Sequence, residues 1–175
     1  MSSEVTDQQF RLLSDALYDP REAENWDQMA SKESELRELA VDVEAGQPEV
    51  TAFIYENLGE CYFKLGDYEK AIAFWEKAHT IVHSGSWIRP VYTQATKISG
   101  LIQNLGECYR KQSSFLKAIE LFEQARAIAE TAGDPKHEGA VCIKLGECYF
   151  SLKQYTQCAY THVSLPLCVF VALCQ

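Results

Sequence analysis

Leu58-Gly59-Glu60-Cys61-Tyr62 returns as Leu105-Gly106-Glu107-Cys108-Tyr109 and again as Leu145-Gly146-Glu147-Cys148-Tyr149, at intervals of 47 and 40 residues. Self-similarity at such periods marks a repeat array, in which each unit buries its apolar face against the next. The residues around the first copy have helical spacing. Tyr55, Leu58, Gly59 and Tyr62 share one face, while Ile54, Leu58, Cys61 and Leu65 form an adjoining apolar strip. Asn57, Glu60 and Lys64 fall on a third strip, which is polar.

Gly59, Gly106 and Gly146 therefore lie inside helices, where glycine costs about 1 kcal/mol relative to alanine. Its recurrence at one register predicts a close crossing of two helices. Ala71 and Ala118, on the following helix, are the expected opposing surface. Gly66-Asp67 and Gly133-Asp134-Pro135 supply a helix stop followed by an N-cap. The spacing predicts leading helices over 48–65, 91–112 and 135–152, with trailing helices over 67–82 and 114–132. The trailing pair carries Ala71, Phe74, Trp75 and Ala78, then Ala118, Ile119, Phe122, Ala125 and Ile128.

Outside the repeats, residues 6–18 read as a short helix ended by Asp19-Pro20. A charged helix over 21–45 follows, with Trp26, Met29, Ala30, Leu36, Leu39, Ala40 and Val43 as its stripe. These two helices, within 1–47, read as a cap over the first repeat or as a degenerate repeat. Residues 83–90 form a junction. From Cys158 to Gln175 there is no charged residue, and Pro166 falls where a helix should continue. This tail reads as foreign to the repeat, and its run over 163–174 is too short to span a membrane, which takes about 20 residues.

Charge and composition narrow the function. Residues 1–50 hold 13 Asp or Glu against 4 Lys or Arg, and residues 51–175 hold 12 of each. A basic footprint for nucleic acid is missing, so that class of partner is not expected. The 7 cysteines show neither CxxC nor Cys/His zinc spacing, and three of them share the repeat register, where they read as small buried apolar residues. With no secretory signal at the start, the expected setting is reducing and cytoplasmic. His79 and His83, one turn apart, have a spacing that can chelate a metal, but with no third ligand in view they read as cations at a helix C-terminus. No phosphate loop, dinucleotide glycine pattern or catalytic constellation appears. Neither an enzyme nor a cofactor or metal site is expected.

The hairpin resembles the tetratricopeptide repeat (TPR). The pattern of that family is met by Tyr55, Leu58, Gly59, Tyr62, Ala71, Trp75 and Ala78, then by Leu105, Gly106, Tyr109, Ala118, Phe122 and Ala125. The third repeat keeps Leu145, Gly146 and Tyr149 but departs at Cys142, Cys158, His162 and Leu165. Helices longer than a 34-residue repeat requires make it similar to the long-repeat branch, which includes kinesin light chains and G-protein/spindle-orientation scaffolds. The resemblance implies an all-α fold, a short right-handed solenoid of antiparallel helical hairpins. Its first repeat and junction would occupy 48–90, the second 91–133 and an incomplete third 134–157, ahead of the 158–175 tail.

The resemblance also implies that leading helices line a concave groove for a peptide segment of another protein. The positions that carry over are Asn57, Glu60, Lys64, Gln103, Asn104, Glu107, Lys111, Lys144 and Glu147. An Asn amide both donates and accepts, so Asn57 and Asn104 suit a peptide backbone. Glu60, Glu107 and Glu147 would favour a basic ligand, against the partly cancelling field of Lys64, Lys111 and Lys144. The groove that clamps a chaperone's C-terminal carboxylate is not expected, because Glu56 and Glu60 stand where its Lys and Asn would be. The expected function is a non-enzymatic adaptor. The alternative is a structural subunit that associates through exposed repeat faces.

Overall fold

The computed structural model describes residues 7–18, 24–84 and 91–154. Among them every regular element is helical. The chain forms two compact units, Met1–Ile88 and Arg89–Gln175. The 85–90 part of the junction, Asp19-Pro20, the end of the third repeat and the 158–175 tail lie outside the described residues.

In the first unit, α1 (Asp7–Leu13) runs into a π-helical turn (Ser14–Tyr18). It is followed by α2 (Trp26–Ser31), α3 (Glu33–Val43), α4 (Pro48–Leu65) and α5 (Tyr68–Ser84). The single helix expected over 21–45 is thus broken at Lys32. There the Lys32 N–H reaches back only three residues, to Met29 O at 3.1 Å, and Ser31 Oγ donates to Gln28 O at 2.7 Å. Such side-chain bonding to the backbone competes with the helical ladder and bends it. The start of α2 is set by Asn25, whose side chain accepts from Gln28 N.

Helices α2 and α3 run antiparallel to α4. Cys61 Sγ donates to Trp26 O at 3.2 Å near one end, and Thr51 Oγ1 to Ala40 O at 3.0 Å near the other. Met29, Leu36, Ile54 and Leu58 lie fully buried in this unit. Each such side chain contributes about 1.5–3 kcal/mol when taken out of water. Leu65, expected on the apolar strip, is exposed because it is the last residue of α4, just before the cap. Glu33 on α3 accepts from Tyr62 Oη on α4 and lies 3.8 Å from Lys70 Nζ on α5, so one carboxylate ties three helices.

The second unit contains α6 (Val91–Lys111), α7 (Phe115–Ala132) and α8 (Pro135–Ser151). Its core gathers Ile102, Ala118, Phe122, Ala125, Val141, Leu145 and Cys148. Ser99 is also buried, with its hydroxyl donating to Ala125 O at 2.9 Å.

Gly59 and Gly106 sit at close crossings, where the nearest atoms belong to aromatic rings rather than to the expected alanines. A Cβ on Gly59 would lie 2.5 Å from Trp75 Cδ1, and one on Gly106 would lie 2.7 Å from Phe122 Cε1. The aromatic rings of the trailing helices rest on the glycines. Ala71 and Ala118 are themselves fully buried.

The turns repeat as well. Gly66, Ser113 and Lys153 each stand seven residues after the helical glycine and have φ of 82°, 61° and 60°. The residue after each one bonds five residues back, Asp67 to Tyr62, Ser114 to Tyr109 and Gln154 to Tyr149, at 2.8–2.9 Å. This is a Schellman closure, which needs a left-handed residue and favours glycine there. Only the first repeat supplies one.

Candidate functional site

The polar strip keeps its order in the second unit. Helices α6 and α8 lie side by side and parallel, as two ion pairs with the same sequence offset show. Lys144 Nζ is 3.5 Å from Glu107 Oε2, and Arg110 Nη1 is 3.5 Å from Glu147 Oε2. Arg110 Nε also donates to Glu107 Oε2 at 2.8 Å. Four charges from two helices form one connected set, in which Glu107 is central and only 16% exposed. Burial pushes its pKa up, but the hydrogen bond from Arg110 and the charges of Lys144, Arg110 and Lys111 outweigh it, leaving the pKa below the ordinary value. Glu107 is therefore a held carboxylate. Glu147 is more open to solvent.

Around this set, Asn104 and Lys111 are exposed and Gln103 is half-buried. Arg110 did not figure among the expected residues. Its register is occupied by Phe63 in the first repeat and Phe150 in the third, so reading the repeats for shared residues hides it. Its guanidinium adds a third cation to Lys111 and Lys144, against two carboxylates. The local field is consequently not the acidic one expected from the recurrence of Glu.

In the first unit the same strip is placed differently. Asn57 is only 3% exposed, and its Nδ2 donates to Phe53 O at 2.7 Å. It does not stand on an exposed polar strip. Glu60 is partly exposed, and Lys64 is exposed with its Nζ 5.8 Å above the ring of Trp26. Since Cys61 also bonds to Trp26 O, α2 lies across this end of α4 and covers part of the strip.

A second concavity, unforeseen from the sequence, lies in the first unit. It is a cleft of about 610 Å³ with Arg37, Glu38, Val41 and Asp42 of α3 on one wall, Lys77 of α5 on the other and Tyr55 of α4 among the lining residues. The Lys77 ammonium sits 5.3 Å from the centre of the Tyr55 ring. Its walls carry acids and bases together and present no single charge to a ligand.

Chemistry by thiols is disfavoured at the described cysteines. Cys61, Cys108, Cys142 and Cys148 are free and buried. Burial pushes the thiols of Cys61 and Cys148 up to about 11 and that of Cys108 to about 12, far from the thiolate a nucleophile requires. Among the described residues no three His, Cys, Asp or Glu side chains are arranged to hold a metal ion, and no helix is long and apolar enough to cross a membrane.

Sequence models of the Tetratricopeptide repeat match residues 52–83 and 98–157. No curated protein matches the chain. Among solved structures, BtubC (BKLC) from P. vanneervenii is similar with a TM-score of 0.60 at 19% identity, over 93% of this chain and 68% of that one. The nearly identical TPR-like repeats of a kinesin-light-chain-like protein from Podosopora anserina are similar with a TM-score of 0.58 at 18% identity. That match covers 89% of this chain and 73% of that one.

Proposed function

Because the chain belongs to the tetratricopeptide repeat family, whose repeats are protein–protein interaction scaffolds, we propose that it is a non-enzymatic adaptor that binds a peptide segment of another protein. The α6–α8 face of the second unit is the binding surface in this reading. The observation that supports it is the connected charge set of Glu107, Arg110, Lys144 and Glu147, which fixes two parallel leading helices and leaves the Asn104 amide exposed beside Lys111.

Asn104 offers a donor and an acceptor to a peptide backbone, and Gln103 a second amide next to it. Lys111, Lys144 and Glu147 then select among side chains. A ligand cation is received by Glu147 rather than by Glu107, whose oxygens are engaged by Arg110 and Lys144. In the first unit Glu60 and Lys64 are the corresponding contacts, with Asn57 taking a packing role. The free thiols of the described cysteines fit a reducing, cytoplasmic setting.

The test compares wild type with Asn104→Ala/Lys111→Ala as bait, after circular dichroism has shown equal helicity. A protein retained by wild type, lost by the double variant and reducible to one short binding peptide supports the reading. Equal retention by both baits sinks it.

One observation favours the alternative of an assembly subunit. Leu116 at the start of α7 and Phe150 at the end of α8 are 68% and 58% exposed. The antiparallel α7–α8 hairpin brings these two positions to the same end, where apolar exposure promotes association. Concentration-dependent self-association that Leu116→Ser/Phe150→Ser abolishes would support that reading. A monomer at every concentration would remove self-association.

A further inference from the structure

Helix α5 carries His79 and His83 one turn apart, near its C-terminal end. Their ring centres are 5.8 Å apart and the planes are tilted by 41°. His83 is exposed and His79 is half-buried. Two imidazolium rings this close would repel each other. Burial, together with the charge of His83, lowers the pKa of His79 against the opposing pull of Glu76. A neutral imidazole has a lone pair to give.

Imidazoles at i and i+4 on one helix face are a known arrangement for holding a divalent metal. Two imidazoles sharing one tetrahedral ion, with metal–nitrogen bonds of about 2.0–2.1 Å, place their ring centres about 5 Å apart. The pair in α5 is within a small rotamer adjustment of that separation. Nitrogen donors without thiolate or carboxylate favour late first-row dications over magnesium or calcium.

We propose that His79 and His83 form a two-imidazole clamp for a late transition-metal dication such as zinc, fastening the last turn of α5. Among the described residues no third protein donor joins them, so water or a side chain from a bound partner completes the coordination. Binding links two successive turns and opposes fraying of the helix end. Unlike the α6–α8 peptide surface, this site lies in the first unit, so the two proposals stand or fall separately.

The test is calorimetric titration of the full chain with zinc chloride near neutral pH under reducing, non-chelating conditions, for wild type, His83→Ala and His79→Ala. The exposed His83 can be truncated without loss of core packing. The expected result is one equivalent bound by wild type in the micromolar range, weakened at least about tenfold in each variant. Histidine-detected NMR should move the His79 and His83 ring signals and leave that of His137 in place. Equal affinity and stoichiometry in wild type and His83→Ala would assign binding to thiols or another site and overturn the proposal. No binding by wild type up to about 1 mM would overturn it equally.

Discussion

Two glycines in α6 predict opposite outcomes for the same substitution. Gly100 has nothing within 4 Å of where a Cβ would go, whereas a Cβ on Gly106 would meet three atoms of the Phe122 ring at 2.7, 2.9 and 3.1 Å. Both positions are helix interior, so Gly→Ala brings the same propensity gain, about 0.8–1 kcal/mol. At Gly100 that gain stands alone, and the variant should be more stable than wild type by about that much. At Gly106 the added methyl falls inside contact distance of a ring that is itself fully buried. The ring can relax only by shifting within the core of Ile102, Ala125 and Leu145, an overpacking strain of about 1–3 kcal/mol. Propensity cancels when the two variants are compared, so the difference in unfolding free energy between them, about 1–3 kcal/mol, isolates the crossing. Urea unfolding followed by circular dichroism measures it. If Gly106→Ala proved as stable as Gly100→Ala, the close-crossing account of the repeated glycine would be refuted.

Other consequences follow from the same contacts. Trp75→Ala removes the ring that covers Gly59 and donates through Nε1 to Glu56 O at 3.2 Å, and should cost about 3–5 kcal/mol; a melting temperature lowered by only a degree or two would show that Trp75 is not core. Ser113→Gly relieves a left-handed φ of 61° and should stabilise by about 0.5–1 kcal/mol, read as a higher urea midpoint. Because the folded pKa of Glu107 lies below its unfolded value, its contribution is present above the ordinary carboxylate value of 4.5 and is lost as pH falls through the folded one. The stability gap between wild type and Glu107→Gln should therefore be full at neutral pH and close in acid; a gap independent of pH would remove the ion set from the account.

How much of this the sequence carried depends on the kind of information at each place. The helices of the repeats were legible because periodicity and caps agree locally: Gly66-Asp67 and Gly133-Asp134-Pro135 end and start helices where they should. The break at Lys32 was not, since neither Gly nor Pro marks it and the Ser31 hydroxyl bond that accompanies it is not readable from residue type. The glycine register announced a close crossing, but the contacting group, an aromatic ring four residues beyond each expected alanine, depends on how far a side chain reaches across. The turns at Ser113 and Lys153 were hidden because residue type there no longer signals a positive φ.

At the candidate surface the helical strip of Glu107, Lys144 and Glu147 was legible as a face. Its electrostatics were not, because Arg110 breaks the repeat pattern and adds a cation that offsets the recurring glutamates. Asn57 shows the limit of periodicity from the other side. Its position on α4 predicts a polar face, yet it is buried and its amide donates to the backbone of its own helix.

Whether the α6–α8 face takes a peptide from another protein can be read by site-specific photo-crosslinking. One photoreactive residue is placed at Asn104 on α6 and, in a second preparation, at the exposed Gln124 on α7. A peptide seated on this face gives adducts from position 104 that map to one short segment of a partner, with none from position 124. Adducts from position 124 alone, or from neither position while the partner still binds, would contradict it.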